Sequence, residues 1–554
     1  MIRIFSAIVL ILLLLTSCAE LFVTSTTSPN VFSLDEFPDI GSFTGKQDAG
    51  RFYDEITYDF VASDEYGQII PYVGSYRVFG TNNEAWNATQ GYTSYGFCTP
   101  DGKIVMDASD RNNYINYQET DDGFGYYCVT RDIEQKDDAP DEFEVGELLL
   151  IPLDGSWCVS FPGNAWVSSA GSGYIFVSVY PDYDIADVKT YVYNYDGVLV
   201  NTLDGIEASG QYSSGLIPVY KYKDSGPEYY FYTLDGEMVL GPFSSASFFN
   251  ENGIAPVIDF DGNAKLIDVN GDVVKHIEGY DHIMYEFSPD EKRQLFVARS
   301  RDNRSDNLTI FDSNADIIGT IDGTTYASLR YPDNVDLVYY YTTEYTTSMY
   351  TQKMVYRRLS DGSDVISEEF GVSPNSYNGH GNCYIHLDEE KNVGVFFDVE
   401  GKTIAVIDDI CEVMSVSSDN KYIAYHSGKY SYEYDENTGT STLTDTRKFN
   451  IFNTDKNEIV YSMDKSASAY FPTSANGTDE RFLPIYVYEE SNNPFGDDAN
   501  ITIYDMVNQK VLVEESKNVT FYMISGKTYI NVCTDNSAAL YDDKMNVIRK
   551  TYFE

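Results

Sequence analysis

An all-β fold built from repeated units is what this 554-residue sequence predicts. Three observations carry that expectation. Turn signals of the Asp-Gly or Asn-Gly kind recur at a mean spacing of about 44 residues, the length of a four-stranded structural repeat. Between them lie short runs that alternate apolar and polar residues, the pattern of half-buried strands. Aromatic residues make up 15% of the chain, 49 of them Tyr, and such rings fit a pleated surface. After Leu15 no stretch of ten residues or more shows a helical period.

The N-terminus reads as an address. Met1-Ile2-Arg3 gives a short positive start, and Ile4 to Leu15 is an apolar run of about 12 residues, against the roughly 20 needed to span a bilayer as a helix. The combination fits a secretory signal. Leu15-Thr16-Ser17-Cys18 resembles the bacterial lipobox. The resemblance implies a signal peptide over residues 1–17, diacylglycerol on the Cys18 thiol, and anchorage to the bacterial cell membrane or outer membrane. Ala19, where some lipoproteins carry Asp, implies the outer membrane in a cell that has one. Two or three acyl chains on one residue anchor stably where a single chain does not. Residues 18–50, with Thr24-Ser25-Thr26-Thr27-Ser28-Pro29-Asn30, read as the lipidated Cys and a flexible tether.

Composition narrows the partners. Lys and Arg number 37 against 87 Asp and Glu, a formal charge of −50 that becomes −51 when Arg3 leaves with the signal. So few cations exclude nucleic acid, whose phosphates need neutralising. They also exclude attraction to anionic membrane surfaces.

The repeats follow in order. Turns fall at Asp101-Gly102, Asp154-Gly155, Asp196-Gly197, Asp235-Gly236, Asn270-Gly271, Asp361-Gly362 and Glu400-Gly401, with variants at Asn314-Ala315, Asp455-Lys456, Asn508-Gln509 and Asp543-Lys544. Such turns call for positive φ at their central residues. Residues 283–321 show the full unit: Ile283 to Phe287, a Ser288-Pro289-Asp290 turn, Gln294 to Ala298, then a hairpin of Leu308 to Asp312 and Ile317 to Ile321. Val413 to Met463 repeats it. About eleven units fit between residues 75 and 553, and evenly spaced short strands of this kind predict a β-propeller. Because rings usually hold about 4–8 blades, the expectation is two propellers in tandem, over 51–370 and 371–554, or one large ring. Residues 36–75 are expected to supply a strand that closes a ring with C-terminal strands.

The Ser-Pro-Asp-x-x-x-x-Leu-Phe-Val unit at 288–297 and Ser417-Ser418-Asp419-Asn420-Lys421-Tyr422-Ile423-Ala424 resemble WD40-like repeats of TolB-type and prolyl-oligopeptidase-type propellers. Residues 245–280 are similar to bacterial WG repeats, with Ala264-Lys265 near the place of the Trp-Gly pair. Both resemblances imply repeated β-units and neither implies a reaction.

Chemical candidates are few. No Gly-x-Ser-x-Gly elbow occurs, which removes a serine hydrolase of the prolyl-oligopeptidase kind. His380 and His386 lie six apart across a Gly-rich loop, a pattern that suits either one ion or two ordinary loop histidines. Asp182, Asp184 and Asp187, with Asp259 and Asp261, are the best calcium candidates, although Asp equally caps turns through its own backbone. No other cofactor is expected. Cys98, Cys128, Cys158, Cys383, Cys411 and Cys533 are an even set that permits disulfides, or buried thiols within strands. Tyr191, Tyr193 and Tyr195, Tyr229 to Tyr232, and Tyr339 to Tyr341 either pack between units or line a sugar or peptide surface. The expected function is an exported, lipid-anchored scaffold that binds a protein, peptide or glycan. The alternative is a lyase or hydrolase acting on extracellular glycans, its carboxylates not identifiable among 87 acidic residues.

Overall fold

The computed structural model describes residues 60–553 apart from a set of internal segments, the longer being 81–88, 133–145, 181–187, 288–293, 331–336, 376–382, 472–480 and 489–498. Cys18, Asp182, Asp184, Asp187 and His380 therefore lie outside the described residues.

All regular elements among the described residues are β-strands, and every pairing is antiparallel. Successive sheets of three or four strands occupy residues 70–109, 112–162, 164–204, 207–243, 245–277, 282–324, 326–358, 384–408, 410–463, 467–516 and 518–552. Strands within a sheet pair in chain order. The ninth sheet departs from this, because a two-stranded hairpin, Tyr430–Asp435 with Thr440–Asp445, is inserted between its second and third strands.

Strand alternation ties each sheet to two neighbours at once. In Tyr174–Tyr180 five consecutive residues are buried, although a strand turns successive side chains to opposite faces. Ile175, Val177 and Val179 enter the core shared with the second sheet, beside Phe161 and Leu150. Phe176 enters the core shared with the fourth, beside Ile217 and Val219. Central strands thus read as continuous apolar runs, as strands covered on both faces do. Outermost strands read differently: Leu199–Asp204 buries only Leu203 fully.

The same packing recurs around the chain. Phe231 and Phe249 join the fourth sheet to the fifth, Leu266 and Phe296 the fifth to the sixth, and Ile385 and Ile423 the eighth to the ninth. Phe449 and Leu483 join the ninth to the tenth, and Ile503 and Ile530 the tenth to the eleventh. Tyr356 and Val365 share a core with Tyr384, Val395 and Phe397 of the eighth sheet. The last sheet then meets the first, with Tyr529 and Leu540 in one cluster with Ile70, Tyr72 and Phe97. Antiparallel sheets packed face to face in chain order, with the last against the first, make a β-propeller.

Of the segment expected to close the ring, residues 36–59 lie outside the described residues. Ile70–Gly80 pairs with Thr89–Cys98 inside the first sheet. It touches the eleventh sheet through side chains: Val73 packs on Cys533 and Ala538, and the Arg549 guanidinium lies 4.5 Å from the Tyr72 ring centre.

The turns also differ in kind. In Asn194-Tyr195-Asp196-Gly197-Val198 only the glycine is left-handed, with φ of 72°. The Asn194 side-chain oxygen accepts the N–H of Asp196 at 3.1 Å and of Val198 at 2.9 Å. Asp268, Asp312, Asp398 and Asp542 do the same in their turns. Ala315 holds the glycine position at φ 69° and Met545 at 63°. These are five-residue loops with a bulge, fixed by the residue that begins them. Two-residue hairpins with both residues left-handed occur instead at Ser172-Gly173 and Ser525-Gly526.

Candidate binding site

Inner strands of a propeller are sheet edges that face the axis, and two of them part to form a cleft. It has a volume of about 410 Å³ between Asn112–Glu119 and its sheet on one side and Asn164–Gly171 on the other. Gln118, Thr130 and Ser169 supply polar groups, and Tyr126, Leu148 and Val167 supply apolar surface; Glu119 and Trp166 stand at the rim with their side chains on the far faces of their sheets. Trp166 is 51% exposed, while Trp157 is buried and donates its indole N–H to the Tyr195 carbonyl.

The Trp166 ring is held at its back. Tyr180, two residues beyond its register partner Ser178 and on the same face, meets it edge to face at 5.3 Å between centroids. The Tyr180 hydroxyl donates to Glu207, which is 2% exposed in the first strand of the next sheet. Tyr220, paired with Glu207 in register, also hydrogen-bonds to it and stands 5.1 Å from Tyr222. Burial, then the Glu207 carboxylate, pushes the Tyr180 and Tyr220 hydroxyls above the ordinary tyrosine range. Both stay protonated and act as donors. On the face of the second sheet turned to the first, the Tyr117 hydroxyl donates to Glu119 at 2.9 Å, fixing that carboxylate. Burial pushes the Cys128 thiol up to about 12, so it stays neutral and weakly nucleophilic.

Other candidates have structural work. Asp259 accepts from the N–H of Asp261 and Asn263 and from Lys265, and these contacts, Lys265 foremost, hold its carboxyl well below the usual range. Asp261 is exposed. Among the described residues no three His, Cys, Asp or Glu gather as a metal site. His386 Nδ1 lies 2.9 Å from the Ser373 carbonyl. His426 has both ring nitrogens engaged: Nδ1 is 3.1 Å from Glu412, and Nε2 accepts the Ala467 N–H at 3.3 Å. No disulfide joins the six cysteines, all buried or half-buried.

The tyrosine clusters divide. Tyr191 and Tyr193 are core, and Tyr195 stacks on Phe124 at 4.0 Å and donates to Asp122 at 2.6 Å, tying sheet three to sheet two. Tyr229 meets Tyr220 near Glu207. Tyr339 to Tyr341 sit in strand Leu337–Tyr345. Trp166, Tyr180, Glu207 and Tyr220 are absent from the sequence candidates; the signals were an isolated Trp and the Tyr220-Lys221-Tyr222 alternation.

No family model matches the chain, and no curated protein does. Among solved structures, a eukaryotic initiation factor is 10% identical over 64% of this chain and 87% of its own, with a TM-score of 0.33. The Dos1 propeller is 11% identical over 67% and 92%, with a TM-score of 0.30. BamB from Moraxella catarrhalis is 10% identical over 58% and 96%, with a TM-score of 0.24.

Proposed function

We propose that the chain is an exported, lipid-anchored propeller that acts as a ligand-binding or protein-interaction scaffold at the bacterial cell surface or in the periplasm. The cleft between the second and third sheets carries the binding half of this reading: it is concave and of mixed polarity, and the half-exposed Trp166 stands at its rim. The lipobox at Leu15 to Cys18 supports the anchor.

One comparison tests both halves. In cells fed a fatty-acid analogue, Cys18→Ser should lose the label and move to the soluble fraction. In a screen of cell-envelope extracts, wild-type protein should show ligand-induced quenching of tryptophan emission that Trp166→Ala lacks. Persistent labelling of Cys18→Ser refutes the anchor. Quenching that survives in Trp166→Ala, or none in any fraction, refutes the binding face.

A further inference from the structure

We propose that a second site, on the face of the third sheet turned away from the cleft, takes a small organic cation carrying a trimethylammonium group. Trp166 pairs with Ser178 and shares a face with Tyr180, the face whose Phe176 packs on the fourth sheet. From there the contacts cross to the fourth sheet, where the Tyr180 hydroxyl donates to Glu207. Tyr220 is the register partner of Glu207 and Tyr222 lies two residues on, so alternation sets both on the Glu207 side of their sheet. The Tyr220 and Tyr222 rings meet edge to face at 5.1 Å. Trp166 and Tyr222 are exposed, 51% and 36%, while Tyr180 and Tyr220 are half-buried. Four aromatic rings are thus gathered about one carboxylate.

The charge of that carboxylate is not offset. Glu207 is 2% exposed, and its partners are the hydroxyls of Tyr180 and Tyr220. Lys221, between Tyr220 and Tyr222 in sequence, alternates to the other face and lies over Tyr230 and Tyr232. Lys189 pairs in register with Val179, on the cleft side of the third sheet, and meets Asp204. Among the described residues no Lys, Arg or His pairs with Glu207. Hydroxyls that donate to a carboxylate pass its negative charge on to their rings, and electron-rich ring faces attract a cation, Trp most strongly. The excess of 87 Asp and Glu over 37 Lys and Arg gathers cations from further away. The ligand chemistry follows from what the site lacks. A primary ammonium needs acceptors for its N–H groups, and Glu207 is buried with its hydrogen bonds made. A trimethylammonium group has no N–H to satisfy and needs only ring faces. A metal ion needs several oxygen ligands, and no three His, Cys, Asp or Glu gather among the described residues.

Calorimetric titration of the full-length protein in a maltoside detergent, in buffer free of quaternary amines, tests the site. The probes are tetramethylammonium, choline, phosphocholine, and 3,3-dimethylbutan-1-ol, the uncharged isostere of choline. Both cations should bind, the alcohol about tenfold more weakly or not at all, and phosphocholine more weakly than choline because its phosphate meets the Glu207 charge. Trp166→Ala should weaken choline about tenfold, Trp166→Phe less, and Tyr222→Leu several-fold, each without a change in melting temperature. Glu207→Gln, which keeps the shape and an acceptor oxygen, should weaken choline and leave the alcohol as it was; the two exposed positions carry the test if that variant does not fold. The inference is overturned if neither cation binds at tens of millimolar, if the alcohol binds as tightly as choline, or if Trp166→Ala binds choline as wild type does. Phosphocholine binding more tightly than choline would also overturn it, because the group recognised would then be a zwitterion and not a cation.

Discussion

The Asn531 side-chain amide donates to the Pro71 carbonyl at 3.0 Å across a sequence separation of 460 residues. Asn531 is 1% exposed, so this bond sits inside the junction where the last sheet meets the first. Removing the donor leaves a buried carbonyl unpaired, at a cost of about 1–3 kcal/mol. Asn531→Ala should lower the melting temperature, and hydrogen exchange should quicken first in strands 70–80 and 527–533. Exchange that quickens evenly around the molecule would show that the junction is not the point of opening.

Asp505 gives the fold an acid limit. Burial alone would raise its carboxyl, but Arg481 at 3.1 Å and the Asn508 N–H groups outweigh that and hold it below the ordinary value of 3.8. A carboxyl depressed in the folded state stabilises above its unfolded pKa and loses that contribution as pH falls through the folded one. Stability of the tenth and eleventh sheets should therefore decline as pH drops below about 4. Arg481→Ala should cost about 3–5 kcal/mol at neutral pH, since it strands a buried charge. Melts of wild type and Arg481→Ala that stay parallel from pH 7 to pH 3 would contradict this.

Ser525 occupies a left-handed position, φ 50°, next to Gly526 at 70° in a two-residue hairpin. Asn adopts that conformation at lower cost than Ser. Ser525→Asn should raise stability by about 0.5 kcal/mol, and Ser525→Val should lower it, because a β-branched residue is strained there. Chemical denaturation of the three proteins gives the order directly.

The thiols should be silent in the native protein. Burial pushes Cys98, Cys128 and Cys533 up to about 12, and Cys383 is 4% exposed. Ellman's reagent should report almost nothing at pH 8 without denaturant, then all six of these cysteines once the chain unfolds. Rapid native reaction at more than one site would mean that the sheets part more readily than their packing implies.

Repetition was legible because its causes are local. A residue such as Asp268 or Asn194 builds its turn from atoms within four positions, so sequence spacing carries the signal. Turn type was less legible: Asp196-Gly197 looks like a two-residue hairpin until Asn194 is seen to begin the loop. The cluster around Trp166 was hidden for a different reason. Trp166, Tyr180 and Glu207 come from three strands in two sheets, and only register brings them together. Nothing in a single strand says which alternate face will be inner edge and which will be core. Ile175 and Phe176 are equally apolar, yet they serve different junctions.

Closure by side chains bears on how such a molecule could change its size. Where a ring is sealed by lending a strand to the far end, any added unit must preserve the register of that loan. Here the ends meet through Tyr72 under Arg549 and Val73 against Ala538, surfaces of the kind every neighbouring pair presents. A duplicated gene segment of some forty residues would need only two compatible faces to be accepted, which leaves the number of units open to evolutionary drift.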